Sequence, residues 1–192
     1  MESDIVIHVP SWVGRRLAGE QLAGGSFEAA MALAIELARE NVHRGTGGPF
    51  GALVFDPASG EILGAGVNLV TSAGLSCAHA EIVALSAAQA GEGDWDLGQR
   101  RPLALVSSCE PCAMCFGAVP WSGVRMLIIG ARREDAEAAG FDEGDKPELW
   151  VDSLTRRGIA VYRDVLREAA AAVLLDYLAA GGEVYNPGGE GA

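Results

Sequence analysis

Short apolar, strand-like stretches alternate along this chain with stretches of helical period. That alternation limits the fold more than any other feature. "FGALVFD" at 50–56 and "EILGAGVN" at 61–68 read as strands, with "PASG" between them as a hairpin turn. "LALVSS" at 103–108 reads as a short buried strand, "VRMLIIGA" at 124–131 as another, and "IAVYRD" begins as one more. Phe27, Met31, Ala34, Ile35, Ala38 and Val42 keep the helical period behind Ser26 as N-cap, which predicts a helix over 27–43 that "RGTGGP" stops. A helix over 79–90 follows a loop at 69–77, and "PCAMCFGAV" reads as a helix with Pro111 at or just before its first turn. "LWVDSLTRRG" is also helical, and 164–180 is a long amphipathic helix that Gly181 and Gly182 end. Strands alternating with helices predict an α/β fold, a sheet covered by helices on both faces. The opening hairpin makes that sheet mixed rather than purely parallel.

At 192 residues the chain fits one domain with a full core. Residues 1–25 read as an N-terminal extension with room for a short helix, 26–180 as the domain, and 181–192 as a tail without core pattern. The net charge of −12 argues against a nucleic-acid partner and against an anionic membrane surface, since both need a basic face. No apolar run reaches the length of a membrane span, and the acidic start "MESDIVIHVP" does not read as a signal peptide. The expectation is a cytoplasmic protein, in which the four cysteines are not structural disulfides.

The chemistry is concentrated in "HAE" at 79–81 and "SCEPCAMC" at 108–115. Zn²⁺ is held by neutral imidazole and by thiolate. Cys112 and Cys115, three apart at a helix start, can point at one spot, where free N–H groups and the helix dipole favour thiolate. His79 supplies a third ligand from another helix start. Three protein ligands leave one tetrahedral position for water or hydroxide, the mark of a catalytic zinc. Glu81, two residues from a ligand, is placed to take a proton from that water and pass it to a leaving nitrogen. Each half alone has a plainer reading: "HAE" as a core histidine beside a surface glutamate, "PCAMC" as a redox pair or half a zinc knuckle. Together and in this order they match H-x-E with P-C-x-x-C, the signature of zinc-dependent nucleobase deaminases. The competing reading is a closed structural zinc, with Cys77 or Cys109 as a fourth ligand and no role for Glu81. Otherwise those two cysteines are small apolar fillers near the site.

"GGPFGALVF", "AGVNLVTS", "CAHAE", "SSCEPCAMCFGAVPWSGV" and "AAGFDEG" resemble the guanine deaminases of the cytidine-deaminase fold, over about residues 27 to 186. The zinc motifs are common to the whole superfamily, whereas "AAGFDEG" and the Tyr-containing tail are more specific to that branch. The resemblance implies a three-layer α/β/α fold with a central five-stranded sheet, one Zn²⁺ per subunit, and a homodimer whose C-terminal tails reach the neighbouring site. It implies His79, Cys112 and Cys115 as ligands, Glu81 as proton shuttle, Asn68 as holder of the purine ring, and Glu143 as a second acid assisting binding or proton transfer. Ala80, Phe50, Trp121, Phe141 and Tyr185 are further candidates for contact with a flat base.

Plainer roles stand beside these. Asn is common as a turn former where a strand ends. Glu143 belongs to a run of six acids between 134 and 145, and such a run is usually a solvated face. Phe50, Trp121 and Phe141 could be core packing, and Tyr185 a surface anchor. The function expected is hydrolysis of a free nucleobase amine, guanine to xanthine and ammonia. Alternatives are an aminotriazine such as ammeline, cytosine, a nucleoside, or tRNA adenosine, the last disfavoured by the acidic charge. A zinc-stabilised interaction module is the non-enzymatic alternative.

Overall fold

The computed structural model describes residues 4–186. In chain order the elements are α1 (Ser11–Leu17), a 3-10 turn at Ala23–Gly25, α2 (Phe27–His43), β1 (Gly51–Phe55), β2 (Ile62–Val67), α3 (Val70–Ala73) and α4 (Ala80–Glu92). There follow β3 (Ala104–Cys109), α5 (Ala113–Ser122), β4 (Met126–Ala131), α6 (Arg133–Ala138), α7 (Trp150–Thr155), β5 (Ala160–Tyr162) and α8 (Arg167–Ala179). The five strands form one mixed sheet in the order β2-β1-β3-β4-β5. β1 runs antiparallel to both β2 and β3, while β3, β4 and β5 are parallel. This is the α/β sandwich that the alternation of elements predicts.

Alternate residues of each central strand feed opposite faces. Leu53, Phe55, Val106 and Ile128 pack with α2 and α8 through Met31, Ala34, Val173 and Leu174. Ala52, Val54, Leu105, Leu127 and Ile129 pack with α4, α5 and α7 through Ala84, Leu85, Val119 and Leu154. Both faces are dry, so the strands read as continuous apolar runs rather than as polar–apolar alternation.

Three boundaries differ from the sequence reading. The last helix starts at Arg167 rather than 164, because Asp164 and Leu166 take left-handed backbone angles (φ 66° and 52°) that no helix continues. The loop over 69–77 contains the single-turn α3. Within 1–25, Trp12, Val13 and Leu22 are core residues, so the described part of that extension is built into the domain. The Trp12 indole donates to the Thr46 hydroxyl and carries the Arg44 guanidinium on its ring face, which fastens α1 over the loop after α2. Of the tail, residues 187–192 lie outside the described residues. Among the described residues no helix is long and apolar enough to cross a membrane.

One glycine decides where the first turn of α4 sits. A Cβ on Gly66 of β2 would overlap the Ala80 carbonyl oxygen and the Ala84 amide, so helix and strand touch at backbone distance. Gly66→Ala therefore has to push α4 outward. The expected loss is about 1–3 kcal/mol of stability, the ordinary range for overpacking, read as a lower midpoint in urea or thermal unfolding.

Candidate functional site

The register of the sheet brings four segments to one edge. Gly51 of β1 faces Val67 of β2, and Ala52 faces Ser107 of β3. Phe50, just before β1, Asn68, just after β2, and Cys109, at the end of β3, therefore lie at the same edge. The N-termini of α4 and α5 arrive there too, with His79 and Cys112 as their N-cap residues. A cavity of about 290 Å³ opens at this edge. Its walls include Phe50, Asn68, His79, Glu81, Cys112 and Phe141, and Glu143 and Tyr185 close it.

The metal-binding groups of His79, Cys112 and Cys115 lie within 4.8 Å of one another. His79 Nδ1 is 3.5 Å from Cys112 Sγ. With Zn–S near 2.3 Å and Zn–N near 2.0 Å, neighbouring ligands of a tetrahedral zinc stand about 3.5–3.8 Å apart, so the donor set and its spacing fit that ion. The Cys112 thiol is pulled down to about 4, first by its hydrogen bond with Cys115 and then by that with His79, against the burial that pushes it up. Cys115 is pushed well up by the same hydrogen bond and by burial, so it keeps its proton when Cys112 ionises. Neither Cys77 nor Cys109 joins the group. Cys77 is exposed, which corrects its reading as a small apolar filler near the site. Cys109 is buried, with its thiol directed to the Arg132 carbonyl at 3.7 Å.

Glu81 is buried in the first turn of α4, and Oε1 accepts from the Ser107 hydroxyl at 3.2 Å. Burial pushes its carboxyl upward, and the Cys112 thiolate pushes it further. Glu143 is buried to 6 % exposure, unlike its neighbours Asp142 and Asp145 in the acidic run, and burial pushes it to about 8. A dication held by the cysteines would draw both carboxyls back down. Asn68 does two things. Its Oδ1 accepts from Val70 N, the plain turn-forming role, while its Nδ2 has no protein partner. Glu143 Oε2 and the Tyr185 hydroxyl are likewise buried without a partner. All three residues line the one cavity, and buried polar atoms are rarely left without partners unless a ligand or water uses them.

Phe141 joins the cavity's aromatic wall, with its ring centroid 4.9 Å from Phe50 and 5.4 Å from Tyr185. Tyr185 belongs to the chain's own tail. In the single chain Tyr185 lines the chain's own cavity. A Cβ on Gly48 would stand 2.8 Å from the Tyr185 ring, so that glycine admits the tyrosine. Ala80, read from the sequence as a contact for the base, does not line the cavity; its methyl packs in the core. Trp121 is a correction. It is 81 % exposed on the outer side of α5, because that helix turns Cys115 and Val119 inward instead.

Several cavity and supporting residues carried no signal in the sequence. Asn41, buried within α2, donates from Nδ2 to the carbonyls of Gly48 and Asn68 and accepts from Thr46, so it holds the glycine loop and Asn68 together. Asn186 bridges the Gly140 carbonyl and the Asp142 amide, latching the tail to the loop that carries Glu143. Glu110 and Lys146 pair behind the cysteines. Polar side chains that work only by bridging distant segments leave no periodic mark.

A sheet edge carrying a His/Cys/Cys donor group and a buried glutamate defines a zinc-dependent deaminase. The family model for the cytidine and deoxycytidylate deaminase zinc-binding region matches residues 26–131, and the chain belongs to this family. Within it, the chain is 38% identical over 128 residues to the guanine deaminase of Bacillus subtilis (strain 168), covering 64% of this chain and 79% of that one. The structure of NE0047 in complex with 2,6-diaminopurine superposes with a TM-score of 0.88 at 45% identity, covering 95% of this chain and 97% of that one. The guanine deaminase from Nitrosomonas europaea superposes with a TM-score of 0.87 at 45% identity, over 93% and 98% of the two chains.

A zinc ion held by this donor group would have to displace the proton that Cys115 keeps, so its uptake would release protons and weaken in acid. Between pH 6 and 8 the apparent zinc affinity is expected to rise about tenfold or more per pH unit. Competition against a chelator of known affinity, repeated across that range, measures the slope.

Proposed function

We propose that this chain hydrolyses guanine to xanthine and ammonia, with His79, Cys112 and Cys115 holding one zinc ion. The observation that carries the reading is the set of three unpartnered buried polar atoms, on Asn68, Glu143 and Tyr185, facing the same small cavity as the His/Cys/Cys group. About 290 Å³ is at the lower end for small-ligand sites and suits a free base rather than a polymer.

The zinc, when bound, supplies an activated water to attack the amine-bearing carbon. Glu81 carries the protons. It takes one from the water and gives it to a ring nitrogen, then takes the second from the added hydroxyl and delivers it to the departing amine, so that the carbonyl forms as ammonia leaves. Burial and the Cys112 thiolate raise its carboxyl, which suits a group that must give a proton back as well as take one. Glu143 accepts from the paired N–H groups on the guanine edge, and Asn68 Nδ2 donates to an acceptor of the purine. Phe50 and Phe141 flank the ring plane, and Tyr185 shuts the cavity against water. The relatives named as guanine deaminases and the complex with 2,6-diaminopurine, a purine carrying the same 2-amine, support this choice over cytosine or a triazine. The net charge of −12 speaks against tRNA.

Glu81→Gln is expected to bind zinc at the parent level and to lose ammonia release from guanine by about 10²-fold or more, the usual contribution of a positioned acid–base group. Zinc content and ammonia assays on guanine, guanosine, adenine, cytosine, cytidine and ammeline measure both points. Wild-type turnover by this variant would sink the mechanism, and cytidine turnover without guanine turnover would sink the substrate.

The chain is also proposed to form a homodimer through the outer side of α4 and α5. Met114 and Trp121 are exposed there, and Ile82, Leu85, Ala118 and Trp121 border a second hollow of about 200 Å³. Trp121→Glu is expected to raise the dimer dissociation constant about 30-fold or more, as for an aromatic interface anchor. Sedimentation across a dilution series checks it.

A further inference from the structure

The sequence contains a single lysine against thirteen arginines, and that lysine is not on the surface. The Lys146 side chain is 2 % exposed, and its ion-pair partner Glu110 is 3 % exposed. Lys146 Nζ donates to Glu110 Oε1 at 2.6 Å and to the Pro111 carbonyl at 2.7 Å. It also lies over the Trp150 ring, 5.1 Å from the centroid. Arg163 donates to the other Glu110 oxygen at 2.9 Å and covers the same indole. An ammonium with a carboxylate, a carbonyl and an aromatic face as partners is a built contact rather than a stray charge.

Its two ends explain its use. Pro111 immediately precedes the ligand Cys112, and Lys146 stands three residues after Glu143. A backbone bond from Ala113 N to the Glu143 carbonyl, at 2.9 Å, makes a second tie between the same loops. Glu143 itself has an oxygen with no protein partner, so its aim into the cavity is set by its loop and not by a hydrogen bond of its own. Moving the loop would move the carboxyl. Lys146 is also a cation close enough to oppose the upward push of burial on Glu143. Arginine could not substitute simply, because its flat fork does not meet a carbonyl and a carboxylate from one compact charge.

We infer that Lys146 is a positioning residue for substrate binding, holding the Glu143 loop against the cysteine loop through Glu110 and the Pro111 carbonyl. The inference rests on the reading of Glu143 as a substrate contact. Breaking the clamp should free Glu143 while leaving the metal ligands, which are held by the starts of α4 and α5.

The test compares Lys146→Met with Glu143→Gln in zinc-loaded protein. The expected result for Lys146→Met is parent zinc content, a KM for guanine raised at least tenfold, and kcat within about threefold. Weakened binding of 8-azaguanine by calorimetry should match the change in KM. A purely structural role would lower the unfolding midpoint without changing KM well below it. Folded Lys146→Met with KM within twofold of the parent overturns the inference, and so does loss of zinc, which would place the effect on the cysteines. Should Lys146→Met fail to fold, Glu110→Gln decides by the same readings, since it keeps an acceptor in place and removes the charge. If Glu143→Gln leaves KM unchanged, it is the substrate reading of Glu143 that fails. An impaired Glu143→Gln beside an unimpaired Lys146→Met refutes only the clamp.

Discussion

Two helices starting at one edge of one sheet is the constraint on which the site depends. α4 and α5 each begin with a residue of the His/Cys/Cys donor group at the N-cap, where backbone N–H groups are unpaired and the helix dipole favours negative charge. This is where a thiolate is cheapest to hold. α4 is set by backbone contact across Gly66, and α5 follows β3 after a three-residue loop. The metal-binding atoms meet within 4.8 Å because two independent packing arrangements agree. A shift of either helix by the width of a methyl group would open the triangle.

The polar residues buried around that edge divide by whether their partners lie within the protein. Glu110 is held through both oxygens by Lys146 and Arg163. Asn41 spends its amide on two carbonyls and its oxygen on a hydroxyl. These fully satisfied groups hold segments together. Asn68 and Glu143 are buried nearby, yet each keeps one atom unpartnered. Residue type does not separate the two sets, since each contains one glutamate and one asparagine. Satisfaction does, because leaving a buried polar atom unmade costs about 1–3 kcal/mol and needs a compensating use.

The tail closes one side of the cavity. Tyr177 stacks on Phe141 and donates to the Glu183 carbonyl, and Asn186 latches the far side, so Tyr185 is carried in between two fastenings. Gly48 leaves the room it needs. Phe50, Phe141 and Tyr185 thus give the cavity an aromatic wall.

The strands, the helix over 27–43 and the donor types at 79, 112 and 115 were legible in the sequence because they rest on local rules: side-chain period, capping and the ligand chemistry of imidazole and thiolate. The mixed sheet followed from the hairpin. That Asn68 and Glu143 line the cavity was to be expected only from the resemblance, since a turn and a solvated acidic run explain them equally well locally. What each side chain faces was decided by tertiary structure. Trp121 points outward because α5 buries Cys115 and Val119 instead. Cys77 is exposed because it lies in the loop before α4 rather than on a packed face. Tyr185 lines the chain's cavity because Gly48 leaves room for its ring and Asn186 fastens the tail to Gly140 and Asp142. Lys146 and Asn41 join segments far apart in the chain, and such bridging depends on how elements cross, which no window of sequence contains.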